Sequence, residues 1–205
     1  MVRPPAAEVA KLMQVAREIR DTAEAEGYTV SVALRQNTAF SRTRRSGSSM
    51  ERDMVLEAAR CGASKASLPF EDVLGGLNIV ATSDTTIRRY RVRSVKLSVK
   101  GEYDVVCNGD SSLMTLLASE PESFYSEEKW IFGFIMSEDH TADHLMAAEI
   151  VGWRGDGPFH LLFGTIIDLS DDQPPPGFTS TNEGLDDFDE DEGDGDGETG
   201  SAGGV

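Results

Sequence analysis

The run KWIFGFIMS, residues 129 to 137, constrains the fold of this chain more than any other stretch. After Lys129 it carries no charge, and apolar residues occupy successive positions rather than alternate ones. That pattern belongs to a central strand buried on both faces, because each face of a strand takes every second side chain. A sheet must run through the middle of the domain with apolar material on either side. Trp130, Phe132 and Phe134 share one face of this strand, and core packing accounts for them more simply than stacking on nucleobases.

The flanking segments supply the rest of the sheet and its cover. Residues 6 to 26 carry Val9, Leu12, Met13, Ala16, Ile19 and Ala23 on one face of an amphipathic helix, with Pro4 and Pro5 ahead of it. Gly27 is its expected stop, so an N-terminal helix is placed within residues 1–27. YTVSVALR, residues 28 to 35, alternates Tyr28, Val30, Val32 and Leu34 with small or polar residues and predicts a strand. The loop QNTAFSRTRRSGSS should be exposed and mobile, and Ser48 with Glu51 makes a capping box for a helix over 49–61. Met50, Met54, Val55 and Ala58 face inward along it, and Gly62 ends it.

Further strands are predicted in LNIVAT and RRYRVRSVK, which form a hairpin, and in GEYDVVCNG. A short helix is predicted in SSLMTLLASE. Beyond the central strand, LMAAEIVGW and FHLLFGTIIDL flank a turn at RGDGP. The order predicts an α/β or α+β fold, a central mixed sheet flanked by helices, in a single domain over residues 1–170.

The net charge of −17 is unevenly spread. Residues 171–205 hold twelve acids and no Lys or Arg, with Pro174, Pro175 and Pro176 near their start. Such a segment cannot bury enough apolar surface to offset its ordering entropy, which predicts a disordered acidic tail. It could fold back on basic residues and compete with phosphate, or simply solubilise the chain. The remaining 170 residues are polarised: 35–100 hold thirteen Lys or Arg against six acids, 101–170 two against thirteen. No apolar run approaches the roughly 18 residues of a membrane span, and charges interrupt the N-terminus, unlike a secretion signal. Cys61 and Cys107 match no metal or redox spacing, so a reducing, cytoplasmic setting is the plain expectation.

The helix SMERDMVLEAAR followed by the strands LNIVAT and RRYRVRSVK resembles the core of the PD-(D/E)XK nuclease-like fold, over residues 49–170. The resemblance implies a helix acid, at Glu51 or Glu57, and strand acids followed by a lysine. Those strand positions hold Asn78, Arg91 and Arg93 instead. Magnesium wants carboxylate oxygens, so an amide and a guanidinium remove its ligands and add repulsion. The resemblance thus implies a degenerate core with no catalytic residue, metal or cofactor, unless acids such as Glu71, Asp72, Asp84, Glu102 or Asp104 have taken over.

Alternation puts Arg89, Arg91 and Arg93 on one strand face at about 6.6 Å spacing. With Arg42, Arg44 and Arg45 in the preceding loop, they would form a strip that grips phosphates bidentately without reading bases. A charged strand face can also serve only solubility, and Glu102 and Asp104 could neutralise it. His140 and His144 are four apart, but the intervening residues lack the general-base glutamate of a zinc helix. His160 in an apolar strand reads as structural, and no G-x-S-x-G elbow or phosphate-binding glycine loop occurs. The expectation is a non-catalytic binder of nucleic acid or of a partner that handles it. The alternatives are an acidic regulatory protein-interaction protein without a nucleic-acid role, and a divergent metal-dependent nuclease.

Overall fold

Two glycines that read as helix stops lie inside helices. The structure, a computed structural model, describes residues 3–36, 38–42, 44–98, 101–109, 113–114, 117 and 126–170. Helix α1 runs Ala6–Gln36, α2 Thr38–Ser41 and α3 Arg44–Lys65. A Cβ on Gly27 would stand 2.6 Å from the backbone oxygen of His140, and one on Gly62 would stand 2.9 Å from the Cα of Val15. Both glycines permit close approach rather than a turn.

The strand expected at 28–35 is therefore the last part of α1. Its apolar residues also fit a helix, since Val30 continues the buried row Ala23, Gly27 while Tyr28 and Val32 turn to solvent. The loop expected at 36–49 is replaced by α2 and the start of α3, so Ser48 lies within a helix instead of capping one. The end of α3 is set by Ser67, at φ 52°, with Leu68 N–H donating to Ala63 O at 2.8 Å and Ser67 N–H to Ser64 O at 3.1 Å. These paired bonds satisfy the last carbonyls of the helix.

The strands are β1 Phe70–Val73, β2 Gly76–Thr82, β3 Thr86–Ser94, β4 Lys96–Leu97, β5 Tyr103–Asp104, β6 Val106–Cys107, β7 Ser126–Met136, β8 Ala142–Arg154 and β9 Phe159–Asp168. Seven form one sheet in the order β1-β2-β3-β7-β8-β9-β6, and β4 pairs with β5. Within the larger sheet β3 and β7 are parallel and the other pairs antiparallel. β1 is a further strand ahead of the predicted hairpin, and GEYDVVCNG is divided between β5 and β6. Of SSLMTLLASE only Leu113, Met114 and Leu117 belong to the described residues, and the acidic tail lies outside them.

The chain is an α+β protein with a mixed sheet, and β7 is its middle strand, buried from Trp130 to Phe134. Helices α1 and α3 pack antiparallel on one face, where Leu12, Val15, Ile19, Val55 and Ala59 meet Leu77, Ile79, Tyr90, Trp130 and Phe132. A smaller cluster on the other face joins Val95, Cys107, Leu113, Ile131, Met146 and Leu161. Trp130, Phe132 and Phe134 are at most 2 % exposed and serve the core.

Candidate functional site

Register on β3 decides which arginines meet solvent. Tyr90 and Val92 belong to the helix-facing core, so Arg88 points the same way and Arg89, Arg91 and Arg93 point away. The parallel pairing sets Arg88 beside Glu128 and Tyr90 beside Trp130, with ring centroids 5.6 Å apart. Glu8, in the first turn of α1, closes the group from the helix layer.

A dense polar network results beneath the helices. Arg88, its side chain 4 % exposed, donates from Nε to Glu128 at 2.7 Å and from Nη1 to Glu8 at 3.1 Å. The Tyr90 hydroxyl donates to Glu8 at 2.5 Å, and the Trp130 indole N–H to Glu128 at 3.3 Å. Burial and the Glu8 carboxylate push the Tyr90 phenol far above its ordinary range. Burial disfavours a charged Arg88, but the two carboxylates outweigh it and hold the guanidinium protonated. Of this network only Trp130 stood out in the sequence. The signal available was the match of RRY in β3 with EEKW in β7, which only a parallel pairing brings into register.

On the opposite face the three alternating arginines have unlike surroundings. Arg89 meets Glu127 of β7 and Glu71 of β1, the latter at 3.6 Å. Arg91 is 3 % exposed, opposite Asn78, and its Nη2 donates to the Leu74 carbonyl at 3.1 Å. Burial, then the neighbouring Arg93, lowers its pKa. Gly76 makes room for it, since a Cβ there would lie 3.0 Å from Cζ. Arg93 is half-buried. Glu102 and Asp104 are not the neutralising acids: Asp104 bonds His160 Nδ1 at 2.9 Å, and the Glu102 backbone N–H donates to the Ser98 hydroxyl oxygen at 3.1 Å.

The positions where nuclease acids would fall are separated by the sheet from the helix acids. Asn78, Arg91 and Arg93 face away from α3, whereas Glu51 on α3 bonds His140 Nδ1 at 2.6 Å and Glu57 pairs with Arg60. His140 lies in the turn between β7 and β8, while His144 is in β8 opposite Ile135, so the two share no helix. Among the described residues no three His, Cys, Asp or Glu side chains converge as metal ligands.

Arg42 and Arg45 are exposed at the tip where α1, α2 and α3 meet, in the helix layer, so they do not converge with the strand arginines. Arg44 opens α3, its side chain outside the described residues. Residues 28–50 contain Arg35, Arg42, Arg44 and Arg45 and no acid. Tyr28, Val32 and Phe40 in the same stretch are 66, 44 and 41 % exposed.

A groove of about 400 Å³ opens between the first turn of α1, the Ser67–Pro69 connection and the end of β2. Among the described residues no helix is long and apolar enough to cross a membrane. No protein-family model, curated protein or solved structure matches the chain.

Proposed function

We propose that the protein is a non-catalytic binding protein that holds a nucleic-acid backbone at the basic tip of its helical layer. The supporting observation is the acid-free stretch 28–50, whose Arg35, Arg42 and Arg45 are exposed and, among the described residues, lie without a carboxylate within salt-bridge distance. Exposed guanidinium groups release counterions on meeting phosphates. Tyr28 and Phe40 add rings on which unpaired bases could stack. In this view the β2–β3 hairpin is a nuclease-like frame holding Asn78, Arg91 and Arg93 in place of acids, with Arg89 and Arg91 spent on internal contacts.

Fluorescence anisotropy with labelled single- and double-stranded DNA and RNA tests this, with magnesium present and absent. Binding that falls on the triple substitution Arg42→Gln, Arg44→Gln, Arg45→Gln but survives Arg89→Gln supports it. Cleavage of any substrate would instead favour the divergent nuclease.

A second reading rests on the uncovered end of the sheet. Val106, Val151 and Leu162 are 41, 58 and 40 % exposed on β6, β8 and β9, where a protein partner could bury them. Failure of the full chain to bind any nucleic acid at low salt would favour it.

A further inference from the structure

The groove at the start of α1 combines a shape and a charge pattern that the nucleic-acid reading leaves unused. Its volume, about 400 Å³, falls among ordinary small-molecule sites. Pro5, Leu68, Pro69, Val80 and Ala81 supply apolar wall. Glu8 also lines it, with a side chain only 10 % exposed. That carboxylate is held in place by Arg88 and Tyr90, so it is a fixed negative group rather than a swinging one.

Positive character lies on the same rim. Lys11, one turn along α1, lines the groove and is exposed; among the described residues it forms no ion pair. The first turn of α1 also opens here and favours negative charge. A purely cationic ligand would meet Lys11, and a purely anionic one would meet Glu8. A molecule bearing both charges close together, on a small apolar body, meets neither conflict.

We propose that this groove binds a free α-amino acid with an apolar side chain. Its ammonium group donates to Glu8, its carboxylate faces Lys11, and its side chain lies against Leu68 and Pro69. Trp130 reports on occupancy, because its indole N–H bonds Glu128, which shares Arg88 with Glu8.

The chain has two tryptophans, so Trp153→Phe leaves Trp130 as the sole indole emitter. In that background L-leucine, leucinamide and 4-methylpentanoate are titrated into the full chain. Leucine should change the emission saturably, and each analogue, lacking one charge, should bind at least about tenfold more weakly. Lys11→Gln, on an exposed position, should weaken leucine about tenfold and leave leucinamide bound as tightly or more tightly. No saturable change with leucine, equal binding of either analogue, or leucine affinity unaffected by Lys11→Gln would each overturn the assignment. Equal binding of leucinamide would point to a peptide N-terminus as the occupant.

Discussion

Single residues carry opposed effects whose sizes can be compared. Alanine in place of a mid-helix glycine ordinarily stabilises by about 1 kcal/mol. At Gly27 and Gly62 the new Cβ would meet backbone at 2.6 and 2.9 Å, closer than real Cβ contacts come, and neither obstacle is a flexible side chain. Overpacking of that kind costs about 1–3 kcal/mol, so Gly27→Ala and Gly62→Ala should each lower the urea midpoint rather than raise it. Tyr90 offers a pH test. Its folded pKa lies above the unfolded value of about 10, so its stabilisation is full below that pH and is lost as pH rises beyond it. Tyr90→Phe should cost about 1–3 kcal/mol at neutral pH by leaving Glu8 with one donor fewer. The gap between wild type and variant in urea melts should narrow between about pH 9 and pH 11. Alternation along β3 sets Tyr90 on the strand face opposite Arg89, Arg91 and Arg93, but does not say what that face meets. Glu8 was not legible, because its partners are 80 and 82 residues away on the chain.

At the scale of elements, what was legible depended on how local the deciding contact is. β2, β3, β7, β8 and β9 follow from alternation, apolar runs and turn residues within each segment. Gly27 and Gly62 misled because glycine marks both helix ends and close packing, and only the position of His140 or Val15 tells which applies. The alternation at 28–35 likewise fits two periods until α3 is known to lie alongside. The parallel β3–β7 pair was hidden for the same reason. Its hydrogen-bonded Arg88 makes a clear energetic prediction: Arg88→Met leaves Glu8 and Glu128 buried without their cation. The expected loss is about 3–5 kcal/mol by thermal or chemical melts. Exchanging Arg89 for Gln, on the more exposed face, should cost under about 1 kcal/mol.

At the scale of the molecule, charge is arranged by layer. The basic residues read across 35–100 divide in the structure: Arg88, Arg89 and Arg91 are neutralised or buried at the sheet, Arg60 and Lys65 pair with acids along α3, and Arg35, Arg42 and Arg45 project at the helix tip. A six-arginine strip could not be resolved into its sheet and tip sets from sequence, since the sheet that separates them is built by distant strands. Binding through the tip should therefore be electrostatic and steeply dependent on salt. The most direct measurement is the slope of log K against log salt for a single-stranded oligonucleotide, for the full chain and its Arg42→Gln, Arg44→Gln, Arg45→Gln variant. Removing three phosphate contacts should flatten the slope by about 2, at roughly 0.7 per contact, while Arg89→Gln leaves it unchanged. A slope unaltered by the tip substitutions, or one flattened by Arg89→Gln alone, would contradict binding at the tip.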